Sequence, residues 1–161
     1  MNKLFLGLIF LFFNINIGEI SILPGFVGYI LIYLGMKDYP QVERFAKCHV
    51  WAIAGAVLSA ITWLPIVNLQ GIPMLLGTSF QLIVTYWLAV GMMELEGLYG
   101  IEVGAVKLSK IWNVMAVGLI ASVILAFLLQ TLASIAMLVG MIAGIIYVVT
   151  FYRCKSRFPA A

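Results

Sequence analysis

Charged residues are scarce in this chain of 161 residues: nine are basic and six are acidic, which together make 9% of the sequence. An ordinary soluble domain carries about 25% charged residues, so a soluble fold of this length would lack the charge to cover its surface. Hydrophobic residues make up 65% of the chain. An integral membrane protein needs no polar cover, because lipid is its solvent. The composition therefore predicts an integral membrane protein with the lipid bilayer as its first partner.

Residues that carry catalysis or bind metals are also few. The chain has a single histidine, His49, and two cysteines, Cys48 and Cys154. Cys48 and His49 are adjacent rather than spaced as zinc ligands are. The sequence has no glycine-rich phosphate loop ending in Gly-Lys and no pair of acidic residues inside an apolar segment. We expect no enzyme activity, no metal, no cofactor and no nucleic-acid partner.

The basic residues are distributed in a pattern typical of a polytopic membrane protein. They occupy four short stretches, at residue 3 and within residues 37–47, 107–110 and 153–157. Hinges with little charge lie between them, near residues 18–24, 66–73 and 129–131. Cytoplasmic loops are enriched in Lys and Arg, and each interval is long enough for two apolar passes. We predict one all-α membrane domain of three helical hairpins, with both termini in the cytoplasm.

Six apolar segments fill the three hairpins. They cover about residues 4–17, 24–37, 50–67, 74–93, 111–129 and 132–152. As helices, the last four are long enough for a hydrocarbon core of about 30 Å, whereas the first two are too short. Two arrangements fit the first hairpin: two short spanning helices that thin the bilayer, or a re-entrant hairpin whose tip stops inside the membrane. Both return the chain to the cytoplasm, so the charge pattern does not separate them.

The two linkers between the hairpins carry most of the acidic residues. Residues 38–47 and residues 94–110 place apolar side chains at helical spacing among charged ones. Such amphipathic segments are typical of helices that lie on a membrane surface. We expect a short interfacial helix in each linker.

Small residues spaced four apart predict where the helices pack closely, because close backbone approach replaces the hydrophobic effect between helices in lipid. Three rows occur, namely Ala52, Ala56 and Ala60; Gly118, Ser122 and Ala126; and Ala136, Gly140 and Gly144. We predict that these rows form contacts within the bundle. The alternative is that one of them forms the seam of a homo-oligomer or docks a membrane partner subunit.

A candidate ligand site begins in the first hairpin, where Glu19 is the only acidic residue outside the two predicted cytoplasmic linkers, residues 38–47 and 94–110. An ionisable residue at membrane depth is by default a functional candidate. Asn14 and Asn16 alternate with isoleucines, which predicts an extended or broken-helix segment, and interrupted segments mark the sites of transporters. The alternative is an ordinary outer loop with Glu19 in water.

Three polar residues of later segments complete the predicted site. Gln81 and Thr85 lie one turn apart near the middle of the fourth segment, and Tyr29 lies in the second. They either line a cavity with Glu19 or serve as structural groups, with Gln81 and Thr85 bonding across helices and Tyr29 packing in the core. The sequence leaves both interpretations open.

Three stretches of the chain resemble a family of short polytopic membrane proteins of Gram-positive bacteria that has no assigned function. They are residues 14–18 (NINIG), 22–35 (ILPGFVGYILIYLG) and 93–102 (MELEGLYGIE). The resemblance implies a protein of the bacterial inner membrane and supplies no site residues. A looser similarity, of architecture alone, is to the six-helix substrate-binding components of energy-coupling-factor vitamin transporters.

Two functions are compatible with these features. The first is a protein that binds a small solute or ion around the first hairpin and helps to move it across the membrane. The second is a non-catalytic accessory or scaffold membrane protein, which includes a substrate-binding component of a multi-subunit transporter. A polar cavity favours the first, and a dry, tightly packed bundle favours the second.

Overall fold

The computed structural model describes residues 1–13, 16–17, 20–21, 25–63, 72–126 and 129–158. Within these ranges the chain forms six helices: α1 (Asn2–Phe12), α2 (Gly25–Lys37), α3 (Glu43–Trp63), α4 (Ile72–Tyr99), α5 (Ala105–Ala126) and α6 (Gln130–Arg157). Two-residue strands β1 (Asn16–Ile17) and β2 (Ile20–Ser21) pair antiparallel between α1 and α2, with Asn16 opposite Ser21. The predicted helical class is confirmed, and the extended backbone expected around Asn16 is present.

Helices α3 to α6 are long and apolar enough to cross a membrane. Helices α1 and α2 have only 11 and 13 residues, which makes them about 16 and 20 Å long at 1.5 Å per residue. The four long helices support a membrane-embedded protein. The six membrane segments stay a prediction, and so do both arrangements of the first hairpin, spanning or re-entrant.

The described chain divides into two compact units, Met1–Leu95 and Glu96–Ala161. The first contains α1 to α3 and most of α4, and the second contains α5 and α6. The expectation of a single membrane domain is untested, and each unit is described below by itself.

Glycines allow α1 and α2 to pack backbone against backbone. A Cβ atom added at Gly7 would lie 2.7 Å from the Gly28 carbonyl oxygen, and one added at Gly28 would lie 2.8 Å from the Gly7 carbonyl oxygen. One added at Gly35 would lie 2.8 Å from a backbone nitrogen of α1. Lys3 and Asp38 form an ion pair of 2.9 Å at one end of the two helices. This glycine contact was not among the predicted small-residue rows.

Aromatic rings fill the spaces left by two further glycines of the first unit. The Tyr29 ring lies against Gly55 of α3, 2.6 Å from where a Cβ would be, and the Phe45 ring covers Gly91 of α4 in the same way. Among the predicted packing residues of α3, Ala52 is fully buried, and Ala56 and Ala60 are half-buried.

Two glutamates near the end of α4 cap other helices. The Glu94 carboxylate accepts hydrogen bonds from the backbone N–H groups of Glu43 and Arg44, at 2.8 and 3.1 Å. In the second unit, Glu96 accepts one of 2.8 Å from the backbone N–H of Ala105. The first N–H groups of a helix have no partner within it, and a negative charge there is favourable. These caps fix where α3 and α5 begin.

The predicted interfacial helices are wrong. Helix α3 begins at Glu43 and continues unbroken into its apolar part, and α4 extends to Tyr99. No helix-breaking residue lies between Glu43 and the apolar segment, so the amphipathic residues form the first turns of the long helix. Gly100 and Gly104 have φ angles of 61° and 88°, a left-handed conformation that favours glycine, and the turn between α4 and α5 lies between them.

Helices α5 and α6 pack through two of the predicted rows. A Cβ atom at Gly118 would lie 2.9 Å from the backbone nitrogen of Gly140 and 3.2 Å from the carbonyl oxygen of Ala136. Backbone therefore touches backbone at Gly118. Of the remaining row members, Gly144 is buried, Ser122 is half-buried and Ala126 is exposed.

We expect Gly118→Ala to lower the free energy of unfolding by about 1–3 kcal/mol, because its methyl group meets backbone atoms that no rotamer change moves. Gly97→Ala is the matched control: Gly97 lies in a helix with open space around it, so its alanine variant is unchanged or more stable. Unfolding of the purified protein in lipid nanodiscs measures both. Equal stability of the two variants would contradict the packing described for α5 and α6.

Candidate functional site

A pocket of about 160 Å³ lies among the four helices of the first unit. Its lining is Leu11 of α1; Gly25 and Tyr29 of α2; Gly55, Leu58, Ser59 and Thr62 of α3; and Gly77 and Gln81 of α4. Polar and apolar surfaces contribute about equally to its lining. It is partly enclosed, and its lining is more polar than that of the groove along α5 and α6.

Glycines create the space for this pocket. Gly55 lets the Tyr29 ring lie directly on the α3 backbone. Gly77 has no heavy atom within 4 Å of the position of an added Cβ, so its missing side chain leaves open volume. Gly25 is the first residue of α2, and the Ser59 hydroxyl lies 3.0 Å from where its Cβ would be.

Two polar side chains face the pocket without an internal partner. The Tyr29 hydroxyl donates a long hydrogen bond of 3.5 Å to the Gly77 carbonyl, and the Thr62 hydroxyl donates one of 3.1 Å to the Ser59 carbonyl. By contrast, the hydroxyl of Ser59 and the side-chain amide of Gln81 bond to no other described residue. Both residues are half-buried, so these two groups are open to water or to a ligand in the pocket.

The structure brings together two of the residues predicted for a ligand site. Tyr29 and Gln81 line the same pocket from α2 and α4. Thr85 is fully buried one turn from Gln81, and its hydroxyl donates to the backbone carbonyls of Gln81 and Leu82 at 2.7 and 3.1 Å. It is not part of the pocket lining.

The remaining predicted residues belong to the first hairpin. Asn14 and Glu19 lie outside the described residues. Only the backbone of Asn16 is described, in strand β1. The proposed grouping of these three side chains with Tyr29 and Gln81 stays a prediction.

The pocket residues contributed by α3 were not predicted from the sequence. Gly55, Ser59 and Thr62 follow one another at intervals of four and three residues, which is the spacing of one helix face. A glycine and two hydroxyls on one face of an otherwise apolar segment are the signal that identifies them. The prediction for this helix used the small-residue row Ala52 to Ala60, which lies beside the stripe of Gly55, Ser59 and Thr62.

The distance of the pocket from the capped end of α3 follows from helix geometry. Ser59 lies 16 residues after Glu43, which is about 24 Å along α3. Gln81 lies 13 residues before Glu94, about 20 Å along α4. Because Glu94 caps the first turn of α3, both distances are measured from the same level. They differ by less than one helical turn, so Ser59 and Gln81 lie at about the same distance from the capped end.

A second cluster joins His49 to α2, nearer the capped end. The rings of His49 and Tyr33 meet edge to face with centroids 5.1 Å apart, and the Lys37 ammonium lies 4.6 Å above the Tyr33 ring. His49 Nε2 is buried without a hydrogen bond. No group of three or more His, Cys, Asp or Glu side chains that could hold a metal occurs among the described residues.

No protein-family model, curated protein or solved structure matches the chain. The resemblance to a Gram-positive membrane protein family is therefore still an expectation from the sequence. The case for a functional site depends on the geometry of the pocket.

Because the Gln81 side chain faces the pocket, we expect Gln81→Cys to react with iodoacetamide at least about tenfold faster than Val84→Cys, since thiol reactivity requires access and the thiolate form. Val84 lies on the same helix and is fully buried, which makes it the matched control. Both are tested with Cys48 and Cys154 replaced by alanine, by mass spectrometry of the protein in bilayers. Equal rates at the two positions would show that the pocket is closed to water.

Proposed function

We propose that this protein binds a small uncharged polar solute in the pocket among α1 to α4 and moves it across the membrane. The single observation that supports this most strongly is the pocket itself. It exposes the unpartnered Ser59 hydroxyl and Gln81 amide in a chain whose helices are apolar enough to cross a bilayer.

The depth of the pocket supports a transport site. With the basic ends of the helices in the cytoplasm, the last charged residues before the pocket are Lys47 on α3 and Glu94 on α4. Ser59 lies about 18 Å beyond Lys47, and Gln81 about 20 Å beyond Glu94. In a hydrocarbon core of about 30 Å, the pocket is then close to the middle, where transporters bind their substrates.

The same depth favours the re-entrant arrangement of the first hairpin. Helix α2 begins at Gly25, beside Ser59, and thus starts inside the hydrocarbon core. Irregular backbone persists at that depth only where protein or water satisfies it, and pairing between β1 and β2 satisfies part of it. Cytoplasmic termini and a bacterial inner membrane belong to this proposal, on the evidence of the basic residues and the family resemblance.

The size of the pocket and the chemistry of its lining suggest the class of solute. A volume of about 160 Å³ corresponds to about five water molecules at the ~30 Å³ that each occupies in the liquid. Among the described residues, the lining offers hydroxyls, backbone carbonyls and an amide but no charge, and an unpaired charge at this depth is costly. The Gln81 amide both donates and accepts. Small amides and polyols, such as urea and glycerol, fit these requirements.

The test is solute flux into proteoliposomes, followed by stopped-flow light scattering with urea and glycerol as probes. We expect wild-type protein to accelerate re-swelling with at least one of them. Gln81→Leu leaves a solute hydrogen bond unmade, at a cost of about 1–3 kcal/mol, and so reduces the rate about fivefold or more. Gln41→Leu makes the same change at an exposed linker position and retains the wild-type rate.

Two outcomes would contradict the proposal. Re-swelling as slow as in protein-free vesicles with both probes would favour the accessory or scaffold function. Equal rates for Gln81→Leu and the wild type would show that any flux follows another path.

A further inference from the structure

A second pocket, almost entirely apolar and about 400 Å³ in volume, lies along helices α5 and α6 in the second unit. Val114, Val117 and Ala121 of α5 line it on one side, and Ala136 and Val139 of α6 line it on the other. The close approach of the two backbones at Gly118 leaves a groove rather than a ridge, and the valines at its rim are about half exposed.

Basic residues lie at one end of this groove. On α5, Lys110 lies one turn before Val114 on the same face, and Lys107 lies nearly one turn before Lys110. The contact of Gly118 with Gly140, and the hydrogen bond from the Arg157 guanidinium to the Val103 carbonyl, set the antiparallel register of α5 and α6.

That register brings a third basic residue to the same end. It places Arg153 of α6 level with Lys107 of α5. Arg153 follows Val139 by almost four full turns, so Arg153 and Val139 lie on one face of α6. Lys107, Lys110 and Arg153 are exposed, and within the described residues none of them forms an ion pair or a hydrogen bond through its side chain.

We propose that this groove binds one anionic phospholipid. Its phosphate is held by Lys107, Lys110 and Arg153, and one acyl chain lies between α5 and α6 along the valines. From Lys110 to Ala121, the end of the groove, α5 rises about 16 Å. This is close to half of a ~30 Å hydrocarbon core and therefore to the depth of one leaflet.

The residue between the cations and the valines fits the same ligand. Asn113 lies less than one turn after Lys110, lines the groove and is exposed. Its amide is level with the ester and glycerol groups of a lipid whose phosphate is at Lys110. Along this face of α5 the order is thus cationic at Lys110, polar at Asn113 and apolar in the groove itself, which is the order of phosphate, esters and acyl chain in a phospholipid.

Charge also distinguishes a lipid from a second copy of this chain. A symmetric dimer through this face, with its two-fold axis along the membrane normal, would place the same three cations of both copies together, and like charges repel. An apolar surface alone gives helices no reason to associate in lipid. Cations at the end of an interhelical groove are instead a recognised pattern for anionic lipid headgroups.

Native mass spectrometry of the detergent-solubilised full chain with added phosphatidylglycerol tests this. We expect one tightly bound phosphatidylglycerol, much weaker binding of phosphatidylcholine, and no binding of glycerol 3-phosphate, which lacks the acyl chain. Lys110→Gln lowers the affinity about fivefold, the effect expected for one cation near an anionic surface. The matched control, Lys47→Gln, removes a cation that pairs with Glu43 in the first unit and leaves binding unchanged.

A second variant tests the acyl-chain part of the groove with all three cations in place. Val117→Trp fills the groove from a position that is 68% exposed, so it is compatible with folding, and it lowers phosphatidylglycerol binding; Ala121→Phe provides an independent replacement. Equal binding of the two phospholipids, equal loss with Lys47→Gln and Lys110→Gln, or full binding by both groove-filling variants would overturn the proposal. A lipid-independent dimer cross-linked through Val117→Cys would assign the groove to a second copy instead.

Discussion

Hydrocarbon cannot hydrogen-bond, so every polar group inside the membrane must find its partner in the protein or in water. Most of this chain obeys that constraint locally. The buried Thr85 hydroxyl returns to the carbonyls of its own helix, and the strands β1 and β2 pair with each other. Within the part of the chain that the structure describes, His49 Nε2 is buried without a hydrogen bond, and the half-buried Ser59 and Gln81 face one pocket from different helices. The proposed solute would give the Ser59 hydroxyl and the Gln81 amide a hydrogen-bond partner.

Glycine takes the place of the hydrophobic effect in holding the helices together. In lipid, apolar side chains gain little by leaving their surroundings, and close backbone approach supplies the attraction instead. Gly7 with Gly28 joins α1 to α2, and Gly118 with Gly140 joins α5 to α6. Gly77 serves the opposite purpose, because no atom occupies the space beside it. Glycine therefore allows close packing between helices at some positions and leaves the volume of the pocket empty at another.

Hydropathy and charge predicted the parts of this structure that depend on one helix at a time. The six segments, the shortness of the first two and the small residues at Gly118 and Gly140 follow from patterns along the chain. Contacts between distant segments were harder to predict. In the sequence, Glu94 and Glu96 are simply charged residues of a linker. In the structure they cap the helices that begin at Glu43 and Ala105. That Ser59 and Gln81 line the same pocket depends on how α3 and α4 are aligned, which the sequence does not reveal.

The measurement that tests the central claim most directly is the water content at position 59 within the bilayer. A spin label at Ser59→Cys, in a variant lacking Cys48 and Cys154, reports nearby D₂O through the modulation of its electron spin echo. Val57→Cys is the reference, because it lies at nearly the same depth on an exposed face. The account predicts strong deuterium modulation at 59 and weak modulation at 57. Weak modulation at both would mean a dry bundle, and strong modulation at both would place this part of α3 outside the hydrocarbon core.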